Sequence, residues 1–500
     1  MENLLTGFSI VFQPMNAIML VIGMIIGLAV GILPGIGGPM MMALLIPITF
    51  TMSPISGILV LVAIYVTSTY GGSITAILFK IPGEGPALVT IFDGYELTKK
   101  GKSGLALSVA IFSSCLGGIF GTIVLIFLAP WLSSIALNFG EPEYFAMAIL
   151  GLSVASGIGG GDTLKNLLSA LTGLFLATWG LDQVTGLPRF TFNNPNLIMG
   201  ISFIPAAIGL FAVGEIVEMV ETSLKGGDQR LSIQSKVKLG LPPLGETLRM
   251  KWLYLRSAVI GTFIGILPGV GALTASFFGY SEAVRWSKQP EKFGTGIIDG
   301  VAAPETANNA ACGGAMVPLL TLGIPGSANT AVMIGAFMIH GIRPGPLLIY
   351  QQADLMYAIF AGMFISNILL VLVAIVGIRL LVKVLNISYS KVGPAILLLA
   401  VMGTYGMQNS MTDVWIMFAF GILGYFMRKY KFGLAPMILA LILGPLCESS
   451  FQRGMIIADY NPLFFVARPI SGPILGLAVL SFIYPLFRNR ILGNLFKSIK

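Results

Sequence analysis

Over 500 residues the sequence is 56% hydrophobic and only 10% charged, with a formal net charge of +8 and a mean hydropathy of +0.90. That balance excludes a water-soluble globular domain and points to a polytopic membrane protein. The apolar runs are continuous rather than alternating, which excludes an outer-membrane barrel. The basic residues sit in short loops between runs, where they set orientation, so the net positive charge implies no nucleic-acid partner.

In chain order, Met1 to Gln13 carries no Lys or Arg, and the apolar stretch continues well beyond signal-peptide length, so the first run is expected to stay as a helix. The next run is interrupted by "GILPGIGGPMMMALLIP" from Gly31 to Pro47. Pro34 removes a donor and disfavours helix before it, while Gly35, Gly37 and Gly38 allow dihedrals closed to other residues, so the helix is expected to break. Irregular backbone at membrane depth survives only when buried in protein or lining a polar cavity. "YGGSITAILFKIPGEGPALVTIFDG" follows from Tyr70, with hydroxyls at Ser73 and Thr75, a second break at Pro82 and Gly83, and then Asp93. Leu105 to Pro130, Leu197 to Ile216, Leu355 to Val382 and Pro469 to Phe487 are long enough to span a bilayer. The expected fold is all-α, with about ten to fourteen helical elements, some of them broken helices or re-entrant hairpins.

The chain repeats itself. "VGILPGIGG" at Val30 to Gly38 returns as "IGILPGVGA" at Ile264 to Ala272, and "YGGSITAILFKIPG" returns, one residue longer, as "CGGAMVPLLTLGIPG" at Cys312 to Gly326. "AILGLSVASGIGGGDTLKNLLSALTGLF" from Ala148 has a weaker echo from Ala395. This organises the chain as a first transmembrane repeat at 1–220, a cytoplasmic linker at 221–251 and a second repeat at 252–500. The segment before the first motif has no basic residue, whereas Lys236, Lys238, Arg249, Lys251 and Arg256 precede the second. "TKKGK" after the first IPG contrasts with Arg343 alone after the second, and "ATWGLDQ" contrasts with "MRKYKF". Opposite bias in equivalent loops indicates inverted topology, with the N-terminus outside and the C-terminus, with Arg488, Arg490, Lys497 and Lys500, inside. Inverted repeats supply two related conformations, each open to one side.

The second copy is richer in polar groups. "APETANNAACGGAMVPLLTLGIPGSANTAV" places Glu305, Thr306, Asn308 and Asn309 on one side of an apolar hairpin and Ser327, Asn329 and Thr330 on the other. Such groups are costly in lipid unless they serve a site or bind one another, and amides and hydroxyls suit both carboxylates and sodium. Freed carbonyls at a break can hold a cation, and the amide ends of half-helices can face an anion. Cys115, Cys312 and Cys447 have no metal-ligand spacing and read as buried thiols. His340, the only histidine, reads as an interfacial side chain. Asp162 in "GGGD" matches a short pattern of intramembrane aspartyl proteases, but no Tyr-Asp pair supplies the second carboxylate. Walker A, H-E-x-x-H and nucleophile-elbow motifs are absent from the sequence, so no enzyme chemistry is expected.

Taken in order, G-x-L-P-G-x-G-G, Y-G-G-S-I-T-A-I-L…I-P-G, D-G, the second G-x-L-P-G-x-G, P-E-T-A-N-N-A and P-L-L-T-L-G-I-P-G-S resemble the TctA family, the large membrane subunit of the tripartite tricarboxylate transporters, from about Ile10 to the last span. The resemblance implies a secondary transporter of the bacterial inner membrane that imports organic carboxylates by cation symport. The expected coupling ion is sodium, with no other cofactor. A small TctB-like membrane subunit and a periplasmic TctC-like binding protein are the expected partners. Carried to matching positions, substrate and ion contact falls to Gly35, Gly37, Gly38, Ser73, Gly269, Gly271, Asn308, Asn309, Ser327 and Asn329. Lys80, before the first IPG, departs from the neutral polar residue often found there and either affects charge preference or snorkels to the interface. The alternatives are a facilitative exporter or channel, and a protease using Asp162.

Overall fold

The computed structural model describes residues 2–33, 35–157, 162–224, 240, 242–381 and 389–483. Pro34, the glycines before Asp162, Lys236 and Lys238 of the linker, and the basic residues after Phe487 lie outside the described residues. The described residues are mostly helical, and the one sheet among them is a two-stranded antiparallel ribbon, Gly180–Leu181 paired with Pro188–Arg189. Six helices are long and apolar enough to cross a membrane: Pro14–Ile32, Pro54–Phe79, Ser103–Ala136, Phe203–Glu221, Ala353–Gly377 and Leu434–Ile457. The chain is an all-α, polytopic membrane protein.

The two copies of the sequence motifs fold through the same order of elements. Pro14–Ile32, a break, Gly38–Thr49, then Pro54–Phe79, a break, Ile91–Lys99 and the long Ser103–Ala136 form the first series. Lys251–Ile266, a break, Gly271–Arg285, then Asp299–Leu322, a break, Ala328–Ile339 and the long Ala353–Leu381 form the second. The first break in each series opens with an extended leucine, Leu33 or Leu267, followed by a left-handed glycine, Gly35 at φ +85° or Gly269 at φ +78°. A side chain at either glycine would be strained, which is why the motif keeps glycine there. The second break in each series starts at a left-handed helix cap, Lys80 in one copy and Gly323 in the other. Lys80 is exposed and its ammonium lies over the Tyr95 ring.

Pro54–Phe79 and Asp299–Leu322 form the centre. Almost all of the former's span and every residue of the latter from Gly300 to Leu322 is buried. Small residues let their neighbours come close. A Cβ on Gly31 would fall 2.4 Å from the Ser68 carbonyl oxygen and 2.8 Å from Gly71 Cα; one on Gly265 would fall 2.4 Å from the Ala311 carbonyl oxygen. Gly117 and Gly121 of Ser103–Ala136 meet Thr306 and Ala310 in the same manner. Without a hydrophobic driving force in lipid, such backbone-to-backbone packing is what holds the helices together. It also stacks the breaks, because the glycine of each IPG lies against the end of the broken helix, Gly83 on the Gly31 carbonyl and Gly326 on the Gly265 carbonyl.

Sequence and structure differ at several element ends. The run expected to stop at Pro130 continues to Ala136 with Pro130 inside the helix, since neighbouring helices tolerate a proline kink in a membrane protein. The run expected from Leu197 begins at Phe203, after a short turn at Pro195–Leu197, and contains a π-helical turn at Gly209–Val213.

If the glycine seams hold the fold, Gly31→Ala and Gly265→Ala should each cost about 1–3 kcal/mol through overpacking against backbone. That cost is readable as a lowered unfolding temperature in detergent. Gly406→Ala, where an added Cβ meets nothing within 4 Å, should leave it unchanged or raise it.

Candidate functional site

Three half-helices begin at one cavity. Gly38–Thr49 and Gly271–Arg285 follow the two LPG breaks, and Ala328–Ile339 follows the second IPG. Their first residues line a space of about 370 Å³ together with Tyr65, Thr69, Glu84, Phe211, Glu215 and Arg428. The unsatisfied amides of a helix's first turn and the positive end of its dipole make each start an anion-binding position.

Each of the three ends is treated differently. Oε1 of Glu84 accepts the Gly38 amide at 2.5 Å, so a carboxylate of the chain itself caps the first. The third is capped by its own sequence: Ser327 Oγ accepts from the Thr330 amide and Thr330 Oγ1 accepts from the Ser327 amide, a reciprocal capping box. The second end, at Gly271, faces open space, with nothing within 4 Å of where a Cβ would sit. Tyr65 places its hydroxyl 3.4 Å from Ser327 Oγ across the cavity. Arg428 is ion-paired with Glu215 and donates through Nη2 to the Phe211 carbonyl at 3.3 Å. Glu215 in turn leans on Gly35, where a Cβ would fall 2.5 Å from its Oε1. The π turn at Gly209–Val213 carries Phe211 and immediately precedes the turn that carries Glu215, in keeping with the recurrence of such bulges at functional sites.

A second polar cluster lies outside the cavity lining. Glu305 is fully buried, and its carboxylate accepts from Ser73 Oγ at 2.5 Å, Thr90 Oγ1 at 2.5 Å and Ser114 Oγ at 3.0 Å, all three from the first series. Asn309 Nδ2 donates to the Glu305 carbonyl at 3.0 Å and to Asn308 Oδ1 at 2.5 Å. No Lys, Arg or His forms an ion pair with Glu305 among the described residues. Asp93, also buried, accepts from Tyr280 Oη and from the amides of Gly294, Gly296 and Ile297, clasping the loop that leads into Asp299–Leu322.

Of the residues expected at the site, Gly35, Gly37, Gly269, Gly271, Ser327 and Asn329 line the cavity. Gly38 stands at its edge through its bond to Glu84. Ser73, Asn308 and Asn309 sit in the Glu305 cluster. Tyr65, Thr69, Glu84, Phe211, Glu215 and Arg428 line the cavity without being expected from the sequence. Two of these had a signal: Glu84 follows the first IPG as Ser327 follows the second, and Glu215 is an acid inside an apolar run. Arg428 lies in the "MRKYKF" stretch read only for orientation. Asp162 is exposed and its carboxylate accepts the Leu164 amide as the cap of Thr163–Ala177. His340 ends Ala328–Ile339 and lies against Gly57. No group of three His, Cys, Asp or Glu converges on a metal position among the described residues.

Known proteins and one family profile match the sequence of this chain. An uncharacterized 52.8 kDa protein in the TAR-I ttuC' 3' region of Agrobacterium vitis is 40% identical over 478 residues, covering 96% of this chain and 94% of the relative. A second uncharacterized protein, in the TAR-II ttuC' 3' region of the same organism, is 43% identical over 226 residues, covering 45% of this chain and 93% of the relative. No solved structure matches. The sequence profile of the tripartite tricarboxylate transporter TctA family matches residues 17–439. With its paired breaks and shared cavity, the chain belongs to the tripartite tricarboxylate transporter TctA family.

Proposed function

We propose that the chain imports organic carboxylates, dicarboxylate or tricarboxylate, across the bacterial inner membrane by sodium symport. In this reading a periplasmic TctC-like protein delivers the substrate and a small TctB-like subunit completes the transporter. The observation that carries the reading is the convergence of three half-helix starts from both series on one cavity, of which the Gly271 end is left uncapped. A carboxylate on that end replaces the water its amides would otherwise need, with the Arg428 guanidinium on the cavity wall. A space of about 370 Å³ is of the size that holds a small organic anion.

Sodium belongs, in this proposal, to the Glu305 cluster. An ionised carboxylate buried among hydroxyls with no basic partner costs several kcal/mol. A monovalent cation held by Glu305 with the hydroxyl and amide oxygens of Ser73, Thr90, Ser114 and Asn308 would remove that cost. Coupling is also needed on energetic grounds, since an inside-negative potential opposes anion entry by about 2.3 kcal/mol per charge per 100 mV. The two series act as inverted repeats around the cavity, with the N-terminus periplasmic, the linker at 221–251 and the C-terminus cytoplasmic, and 1–220 and 252–500 alternating the side of access.

In proteoliposomes containing the assembled transporter, uptake of a radiolabelled carboxylate should rise with an inward sodium gradient and fall to background when the gradient is collapsed; equal flux in both cases would favour a facilitative exporter or channel. Glu305→Gln keeps an acceptor for the three hydroxyls and removes the charge. It should lower sodium-driven uptake at least about tenfold, equivalent to about 1.4 kcal/mol, with folded yield unchanged. Wild-type sodium dependence in that variant would make the cluster purely structural.

A further inference from the structure

We infer that Glu84 sets the number of carboxylates the cavity accepts, by filling one of two equivalent anion positions with a carboxylate of its own. The inference rests on the carboxylate reading of the cavity and adds a residue that determines specificity. Alignment of the two LPG breaks pairs Gly37 with Gly271 and Gly38 with Ala272, and alignment of the two IPG breaks pairs Glu84 with Ser327. The half-helix starts at Gly38 and Gly271 are therefore counterparts, yet they carry different caps. At the first, Glu84 Oε1 takes the Gly38 amide, and a Cβ on Gly38 would fall 2.4 Å from the buried Ser68 Oγ, 2.9 Å from Asn329 Oδ1 and 3.0 Å from Glu84 Oε1. Glycine at position 38 is thus required first by Ser68 Oγ, with Asn329 Oδ1 and the Glu84 carboxylate close behind it. At the second, the glycine is replaced by Ala272, the glutamate by Ser327, and the serine turns to cap its own helix through Thr330.

The two copies thus differ at both members of the pair, Gly with Glu in the first and Ala with Ser in the second. A bound carboxylate at the first end shows what such an end holds in this fold. The second end, facing the same cavity and uncapped, holds the substrate's carboxylate. A second carboxylate on the substrate then meets the negative charge of Glu84 instead of the Gly38 amide. Like charges that share a small, poorly solvated cavity repel strongly, so Glu84 disfavours close-spaced polyanions and leaves them dependent on the coupling cation.

The test compares butanoate with succinate, which differ by one carboxylate on the same carbon chain, by titration calorimetry on the full chain in lipid nanodiscs. Glu84→Ser, which installs the residue of the second copy, should raise the affinity ratio of succinate to butanoate at least about tenfold over wild type. Glu84→Gln, which keeps an oxygen for the Gly38 amide and removes the charge, should raise it less, and its retained fold controls for collapse of the break. A ratio within twofold of wild type in both variants, with succinate still bound, overturns the role of Glu84 alone. Absence of binding of either anion to wild type, in sodium or without it, overturns the carboxylate reading and this inference with it.

Discussion

The structure depends on one constraint: backbone groups freed at membrane depth must find partners within the protein. Four breaks, two per series, release amides and carbonyls where no lipid can satisfy them. The chain meets the demand by stacking the breaks on one another. Gly83 donates its amide to the Gly72 carbonyl at 3.1 Å, and Gly269 donates to the Gly326 carbonyl at 3.1 Å. Only glycine permits these contacts: a Cβ on Gly83 would fall 2.0 Å from the Gly31 carbonyl oxygen, and one on Gly269, at φ +78°, would fall 2.5 Å from the Ala155 Cβ. A helix start that cannot be satisfied this way opens into a cavity, and the polar lining of the cavity follows from the break.

Of the two central helices, only Pro54–Phe79 reaches the cavity wall, through Tyr65 and Thr69. Pro54–Phe79 and Asp299–Leu322 are buried around nearly their whole circumference, so their polar residues face protein on every side. Glu305 uses this to bind three hydroxyls of the first series, and Asp93 uses it to hold a loop of the second. Both acids reach across from one series to the other. A change in how the two series sit relative to each other must therefore break or carry along these bonds, and occupancy by a cation is one way to decide between the two. Both acids lie in the joint between the series, and Glu305 stands outside the cavity lining.

The breaks were legible because proline and glycine report backbone conformation directly: left-handed Gly35 and Gly269 fall where "LPG" demands them. Repetition of the motif supplied the rest, since one such break reads as a kink and two at matching positions read as a site. The lining side chains were less legible. Ser73, Asn308 and Asn309 are polar residues on helices buried all round, and composition cannot separate a cavity wall from a helix joint. Glu84 follows a break, where an acid reads as an ordinary loop residue, and only the bond to Gly38 reveals its cap. Glu215 and Phe211 depend on a π turn that shifts the register of the Phe203–Glu221 helix, a feature with no periodic signature. Arg428 was read as a loop charge that sets topology, while its side chain reaches Glu215.

The asymmetry between the copies is more informative than their likeness. A perfectly symmetric pair of half-helix starts would offer two positive ends to any anion and hold a polyanion tightly in both access states, which would slow its release. Filling one end with Glu84 and leaving its counterpart open removes that degeneracy. It also takes the Gly38 amide out of the donors open to an anion, while Arg428 is already paired with Glu215. In the proposed reading a carboxylate is held mainly through neutral dipoles, whose attraction weakens within the first turn of the helix and therefore ends once the anion moves away. Moderate, position-dependent attraction of this kind suits a site that must take up its ligand on one side and give it up on the other.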